Sequence, residues 1–71
     1  MDFIYNTIIL NGKPLNCSAE TSLYDLLVYY QFDLNSIIIE YNQSIVSTDK
    51  LSNIILKSED TIEVITIVGG G

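Results

Sequence analysis

The sequence predicts a single α+β domain, a mixed β-sheet with one short helix packed across it. Three observations carry that expectation. Runs of β-branched and aromatic residues recur at the two-residue period of strands, and two of them meet at an Asn-Gly pair. One stretch, opening at a serine, carries leucines at the spacing of a helix face. A length of 71 residues leaves room for one small core and no second domain.

The elements follow in order. Residues 3–10 read as a first strand, Asn11-Gly12 as a turn pair tolerating positive φ, and residues 13–18 as the returning strand of a hairpin. Pro14 has no N–H to give a ladder, so the second strand belongs at a sheet edge and the first lies further in. Ser22 is placed to cap a helix, with Asp25 three residues on completing a capping box. Leu23, Leu26, Leu27 and Tyr30 then form one apolar face, and no glycine marks the end, which is expected near Gln31. A helix of about eight to ten residues does not hold in isolation and must pack on the sheet.

Residues 36–42 form a third strand with Ile37, Ile39 and Tyr41 inward, because Glu40 belongs outside and Ile38 shares its face. Asn42-Gln43 turns the chain into Ile45-Val46. Asp49-Lys50-Leu51 suits a single helical turn and Ile54-Ile55-Leu56 a short strand. After the polar turn Ser58-Glu59-Asp60, residues 61–67 make the last strand, with Ile62 and Val64 inward and Glu63, Ile65 and Ile67 outward. The long connection through the helix permits a crossover and hence a partly parallel sheet. This is the element order of the β-grasp, or ubiquitin-like, fold. The expected division is a β-grasp domain over residues 1–67 and a flexible glycine tail over residues 68–71.

Nine acidic side chains against three lysines and no arginine give a net charge of −6, which offers nothing to a phosphate backbone or an anionic membrane. The acidity fits either docking on a basic protein surface or simple solubility. With 48% hydrophobic residues on so small a body, some apolar surface must stay outside, which predicts a protein partner. No basic, apolar leader and no spanning segment is visible, so a cytoplasmic location is expected, or the plastid stroma if the gene is plastid-borne. Twelve isoleucines and one alanine suggest an AT-rich genome. Cys17 is the only cysteine and there is no histidine, so neither a disulfide framework nor a metal ligand set is expected. Cys17 reads as a small apolar filler.

These absences also argue against an enzyme, since no nucleophile–base pair or metal centre can be assembled. Ser47, Thr48 and Asp49 suit a turn, and neither glycine stretch has the lysine and spacing of a phosphate-binding loop. The remaining chemistry lies in the ending Val68-Gly69-Gly70-Gly71. Glycine leaves the acyl carbon of Gly71 unhindered, while Gly69 and Gly70 keep its approach clear for a narrow channel. Extended, the four residues span about 13–14 Å. A carboxylate is inert as an acyl donor until activated, so the logical first step is an acyl adenylate, followed by displacement of AMP and, with sulfur, a thiocarboxylate. Ile65 and Ile67, with Val68 and Ile38, are the candidate partner-binding patch. The alternative is that these isoleucines lie under a neighbouring segment.

Leu10-Asn11-Gly12-Lys13, the capped helix, Ile39 through Val46 and above all the run from Thr61 to Gly71 resemble the ThiS family of sulfur carriers in thiamine biosynthesis. The resemblance covers nearly the whole chain. It implies that a ThiF-type enzyme, using ATP and Mg, adenylates Gly71, that a sulfurtransferase system makes the thiocarboxylate, and that the thiazole synthase ThiG takes the sulfur. The chain itself would bind no cofactor. Two departures are visible: residues 1–6 make a longer start, and Ser58-Glu59-Asp60 lacks the glycine usual before the aspartate. Rival carriers are the small subunit of molybdopterin synthase and the tRNA-thiolation type, which share the Gly-Gly ending and its chemistry. A ubiquitin-type modifier fits less well, with no arginine before the glycines. A β-grasp interaction domain with an idle tail, such as an RNA-binding module, would show a basic face, which this composition does not supply.

Overall fold

A computed structural model describes residues 4–67. Five strands, β1 (Tyr5–Leu10), β2 (Lys13–Ser18), β3 (Ile37–Tyr41), β4 (Ser44–Val46) and β5 (Thr61–Thr66), form one sheet in the order β2-β1-β5-β3-β4. The helix α1 (Leu23–Tyr29) falls between β2 and β3 in the chain. β1 and β5 run parallel and the other three pairs antiparallel, so the predicted mixed sheet and β-grasp order are observed. The last strand of the sequence thus becomes the central strand of the sheet.

Local chemistry explains most of the framework. Asn11 and Gly12 take φ values of +50° and +81° and close the β1–β2 hairpin. Pro14 sits in the edge strand opposite Ile9, where its missing N–H is tolerated. The capping box is complete: Ser22 Oγ accepts from the Asp25 amide at 3.0 Å, and the Ser22 amide donates to Asp25 Oδ2 at 3.3 Å. Ser22→Ala is expected to lower stability by about 1 kcal/mol and Tm by about 4–8 °C, read by thermal unfolding followed by circular dichroism.

The helix ends without glycine. Gln31 adopts φ +62° in its place, while the Gln31 and Phe32 amides donate to the carbonyls of Val28 and Leu27 at 2.9 and 3.0 Å. This satisfies the last carbonyls in the manner of a Schellman cap. Tyr30, expected on the buried face, is instead the cap residue and is exposed, its ring stacked on Tyr29 with centroids 5.0 Å apart. The helix ends at Tyr29, one residue before that position.

The core lies between α1 and the inner sheet face. It gathers Ile8 and Leu10 of β1, Leu23, Leu26 and Leu27 of α1, Ile37 and Ile39 of β3, Ile62 of β5, and Leu51 and Leu56 from the loops. Leu51 arrives on a 3₁₀ turn, Thr48–Asn53, as the sequence suggested. The strand expected over residues 54–56 reduces to one bridge between Ile55 and Ser22, because the chain there crosses the start of the helix rather than joining the sheet. Cys17 is half-buried against the core, as a filler should be. The residues before Ile4, including the expected strand start at position 3, and the tail over residues 68–71 lie outside the described residues.

Candidate functional site

β5 is gripped on both flanks almost to its last described residue. On one side the β3 register pairs Ile38 with Ile65 and Ile37 with Thr66, and the Ile67 amide donates to the Ser36 carbonyl at 2.7 Å, carrying the pairing one residue past the strand. On the other, Asn11 Oδ1 in the hairpin turn accepts from the Val64 amide at 2.7 Å. The chain therefore arrives at position 67 as paired, extended backbone.

Alternation then decides which side chains flank that exit. Ile62 is fully buried and Val64 packs on the core, whereas Glu63, Ile65 and Ile67 face out. Ile38, Ile65 and Ile67 are 38, 48 and 47% exposed, so a substantial part of each reaches the surface. The alternative that a neighbouring described segment hides these isoleucines is thus set aside. Val68, Gly69, Gly70 and Gly71 lie outside the described residues. A second apolar surface, Tyr24, Val28, Tyr29 and Tyr30 on the outward side of α1, was not singled out from the sequence, where those tyrosines blend into the helical pattern.

The start of β5 is fixed by a polar network that local pattern does not reveal. Asp60, almost fully buried, accepts from Tyr41 Oη at 2.5 Å and from the Lys57 amide at 2.7 Å through Oδ2, and from Asn42 Nδ2 at 3.0 Å through Oδ1. Asn42 in turn accepts from the Thr61 amide at 2.8 Å and donates its own amide to the Thr61 carbonyl at 2.8 Å. Burial pushes the Asp60 carboxyl up, but the hydrogen bonds from Tyr41, Asn42 and Lys57, with the Lys57 charge, outweigh it and hold the group below its ordinary value. Tyr41 is pushed up to about 12, first by burial and then by the adjacent Asp60. Glu59 adopts φ +74°, the left-handed geometry that glycine serves without strain.

Elsewhere the described residues hold little chemistry. No group of three or more His, Cys, Asp or Glu that could hold a metal occurs among them. Ser47 Oγ donates to Asp49 at 2.5 Å, a turn contact that holds the Asp49 carboxyl below its ordinary value. Cys17 opens on a cleft of about 340 Å³ with Thr21, Asp25, Tyr29 and Tyr30, and burial pushes its thiol up, away from thiolate chemistry.

Comparison with known proteins bears on the exit strand directly, since a model of the ThiS family matches residues 8–71, from β1 through the terminal glycines. The chain belongs to the ThiS family. Among relatives, it is 40% identical over 65 residues to the uncharacterized protein ycf40 of Porphyra purpurea, covering 92% of each chain. It is 35% identical over 63 residues to the sulfur carrier protein ThiS of Bacillus subtilis (strain 168), covering 87% of this chain and 96% of that one. A thiazole synthase of Magnetococcus marinus matches at 38% identity over 64 residues, 90% of this chain but only 20% of that longer protein. The fold agrees with the crystal structure of the thiamine biosynthesis protein ThiS from Geobacter metallireducens, at a TM-score of 0.76 and 20% identity over 92% of this chain and 99% of that one. No helix among the described residues is long and apolar enough to cross a membrane.

Proposed function

We propose that this ThiS-family chain is a sulfur carrier for thiamine biosynthesis, acting as a protein co-substrate through the carboxylate of Gly71. The observation that carries the reading is the family match running without a break from the sheet into the glycines. The name of the Bacillus relative supports the carrier role, and the thiazole synthase that contains a related stretch supports thiazole synthase, the ThiG type, as the partner that takes the sulfur.

The chemistry runs in two steps. A carboxylate oxygen of Gly71 attacks the α-phosphorus of ATP on a ThiF-type enzyme with Mg, forming the acyl adenylate as pyrophosphate leaves. Sulfide, released by a thiol reductant from the persulfide of a sulfurtransferase system, then attacks the acyl carbon and expels AMP, leaving the thiocarboxylate. Gly69 and Gly70 let the backbone thread to the reacting phosphate without a side chain to exclude it. Ile38, Ile65 and Ile67 supply the apolar docking surface beside the exit, with Val68 the next residue in the chain, and the exposed isoleucines are worth burying against a partner. The molybdopterin and tRNA-thiolation readings share this chemistry, and it is the family match that favours thiamine. The ycf40 name of the Porphyra relative, one given to plastid reading frames, favours the plastid stroma as the place of action.

Intact-mass measurement tests the cycle. With ATP, Mg and a ThiF-type enzyme the chain should gain AMP; on adding a sulfurtransferase and sulfur source it should exchange one oxygen for sulfur. A chain that forms neither species is no carrier.

A further inference from the structure

The two flanks of β5 are not supported equally. Among the described residues its ladder with β1 has two pairs, Ile9 with Thr61 and Leu10 with Ile62, while its ladder with β3 runs on to Thr66. β1 stops at Leu10, where the chain turns into the hairpin. Asn11 then takes over that flank: its amide donates to the Ile62 carbonyl at 2.9 Å, and its Oδ1 accepts from the Val64 amide at 2.7 Å. Beyond Val64 the described part of β5 is held from the β3 side alone.

The turn does not account for the side-chain bond. At φ +50° position 11 needs a residue that tolerates the left-handed region, and glycine would serve as well. Asn11 is exposed, so water could satisfy the Val64 N–H without it. What the side chain adds is an attachment between the hairpin and the strand. The turn on the other flank repeats the device, since Asn42, also at φ +50°, accepts from the Thr61 amide through its Oδ1 at 2.8 Å. Of the two clasps, the one at Val64 lies nearer the exit.

We propose that Asn11 is a positioning residue whose side-chain bond to Val64 keeps the end of β5 in the sheet, so that Ile65 and Ile67 are presented ready to dock. The inference rests on the carrier reading and its docking surface. Strand ends open at little cost in free energy, and one hydrogen bond shifts such an equilibrium about fivefold. A partner that binds only the ordered end has its apparent affinity reduced by the ordered fraction. Once docked, the strand is formed whether or not Asn11 holds it, so the residue acts on affinity and not on the chemistry at Gly71.

The test compares the full chain with three variants. Asn11→Gly keeps the turn and removes the acceptor, Asn11→Asp keeps both, and Ser22→Ala lowers stability through the helix cap instead. Amide hydrogen exchange reads the strand end at Ile67, whose N–H is bonded to Ser36 and not to Asn11. In Asn11→Gly the Ile67 amide should exchange about two- to fivefold faster, and KM for the chain in adenylation by a ThiF-type enzyme should rise by a similar factor at unchanged kcat. Asn11→Asp and Ser22→Ala should match the parent in both. Unchanged Ile67 exchange in Asn11→Gly, or faster exchange at unchanged KM, overturns the proposal. So does an aspartate variant that behaves as the glycine one, or a Ser22→Ala chain whose KM rises equally, because Asn11 would then act through the turn or through stability alone. A parent that is not adenylated at all overturns the carrier reading and this inference with it, whereas the other outcomes overturn this inference alone.

Discussion

Removal of Gly71 is expected to leave the fold and its Tm unchanged while slowing adenylate formation at least about a hundredfold. The shortened chain still ends in a glycine carboxylate, but that group is drawn back by about 3.3–3.6 Å, one extended residue. Misplacement of a reacting atom by about 1 Å already costs on the order of a hundredfold, so a whole residue should be beyond recovery. Gly70→Val makes the complementary test, since reach is kept and a branched side chain is added; it should be equally inactive if the channel on the enzyme is narrow, with Gly70→Ala between the two. Pyrophosphate release and intact mass read the outcome. Because the isoleucines of the docking face are untouched, the shortened chain should still compete with the parent for the adenylating enzyme at full affinity. An enzyme that adenylates the shortened chain as fast as the parent would show that the reacting carbon is not held at a fixed distance from the sheet.

The outward apolar run at the end of β5 was legible in the sequence because it depends on period two alone. Glu63, Ile65 and Ile67 had to share a face once Ile62 and Val64 were inward, and the structure places them so. The hairpin at Asn11-Gly12 and the Ser22–Asp25 cap were legible for the same reason: each is decided by residues within four positions of one another. What escaped is non-local. The contacts of Asp60 with Tyr41 and Asn42 span 19 and 18 positions, and nothing in a Ser-Glu-Asp turn distinguishes a buried acceptor from a solvated charge. The Asn11–Val64 bond depends on register between residues 53 positions apart, which the pattern within each strand does not set. Tyr30 was misplaced because a helical spacing says nothing about where the helix stops, and here a glutamine takes the left-handed position normally given to glycine.

The Asp60 network gives the largest expected effect on stability. Asp60→Ala should cost about 2–4 kcal/mol, since it removes a buried, charged acceptor from three donors, the half-buried Tyr41 hydroxyl, the Asn42 amide and the Lys57 backbone N–H. For a domain of this size that is a fall in Tm of about 10–25 °C. Asp60→Asn should be little better, because the site needs an acceptor on both sides. An amide nitrogen at the Oδ1 position would face Asn42 Nδ2, and Asn42 is held from flipping by its own Oδ1 accepting from Thr61. At the Oδ2 position it would face the Lys57 N–H. Acid should reproduce part of the loss. The folded carboxyl titrates below its ordinary value of 3.8, so its contribution is complete above the unfolded pKa and disappears as the pH falls through the folded one. Tyr41 acts with the opposite sign: with its folded pKa raised from 10.0 to about 12, its contribution is lost as the pH climbs through that interval. Urea unfolding of the parent and of Asp60→Asn at pH 7 and pH 3 should therefore show a large gap that narrows in acid, and Tyr41→Phe should flatten the alkaline limb. A gap that is the same at both pH values would mean that Asp60 acts by shape and not as an ionised acceptor. Since Asp60 and Asn42 hold the first residue of β5, the variant that folds least well should also be the one that presents Ile65, Ile67 and the glycines least reliably.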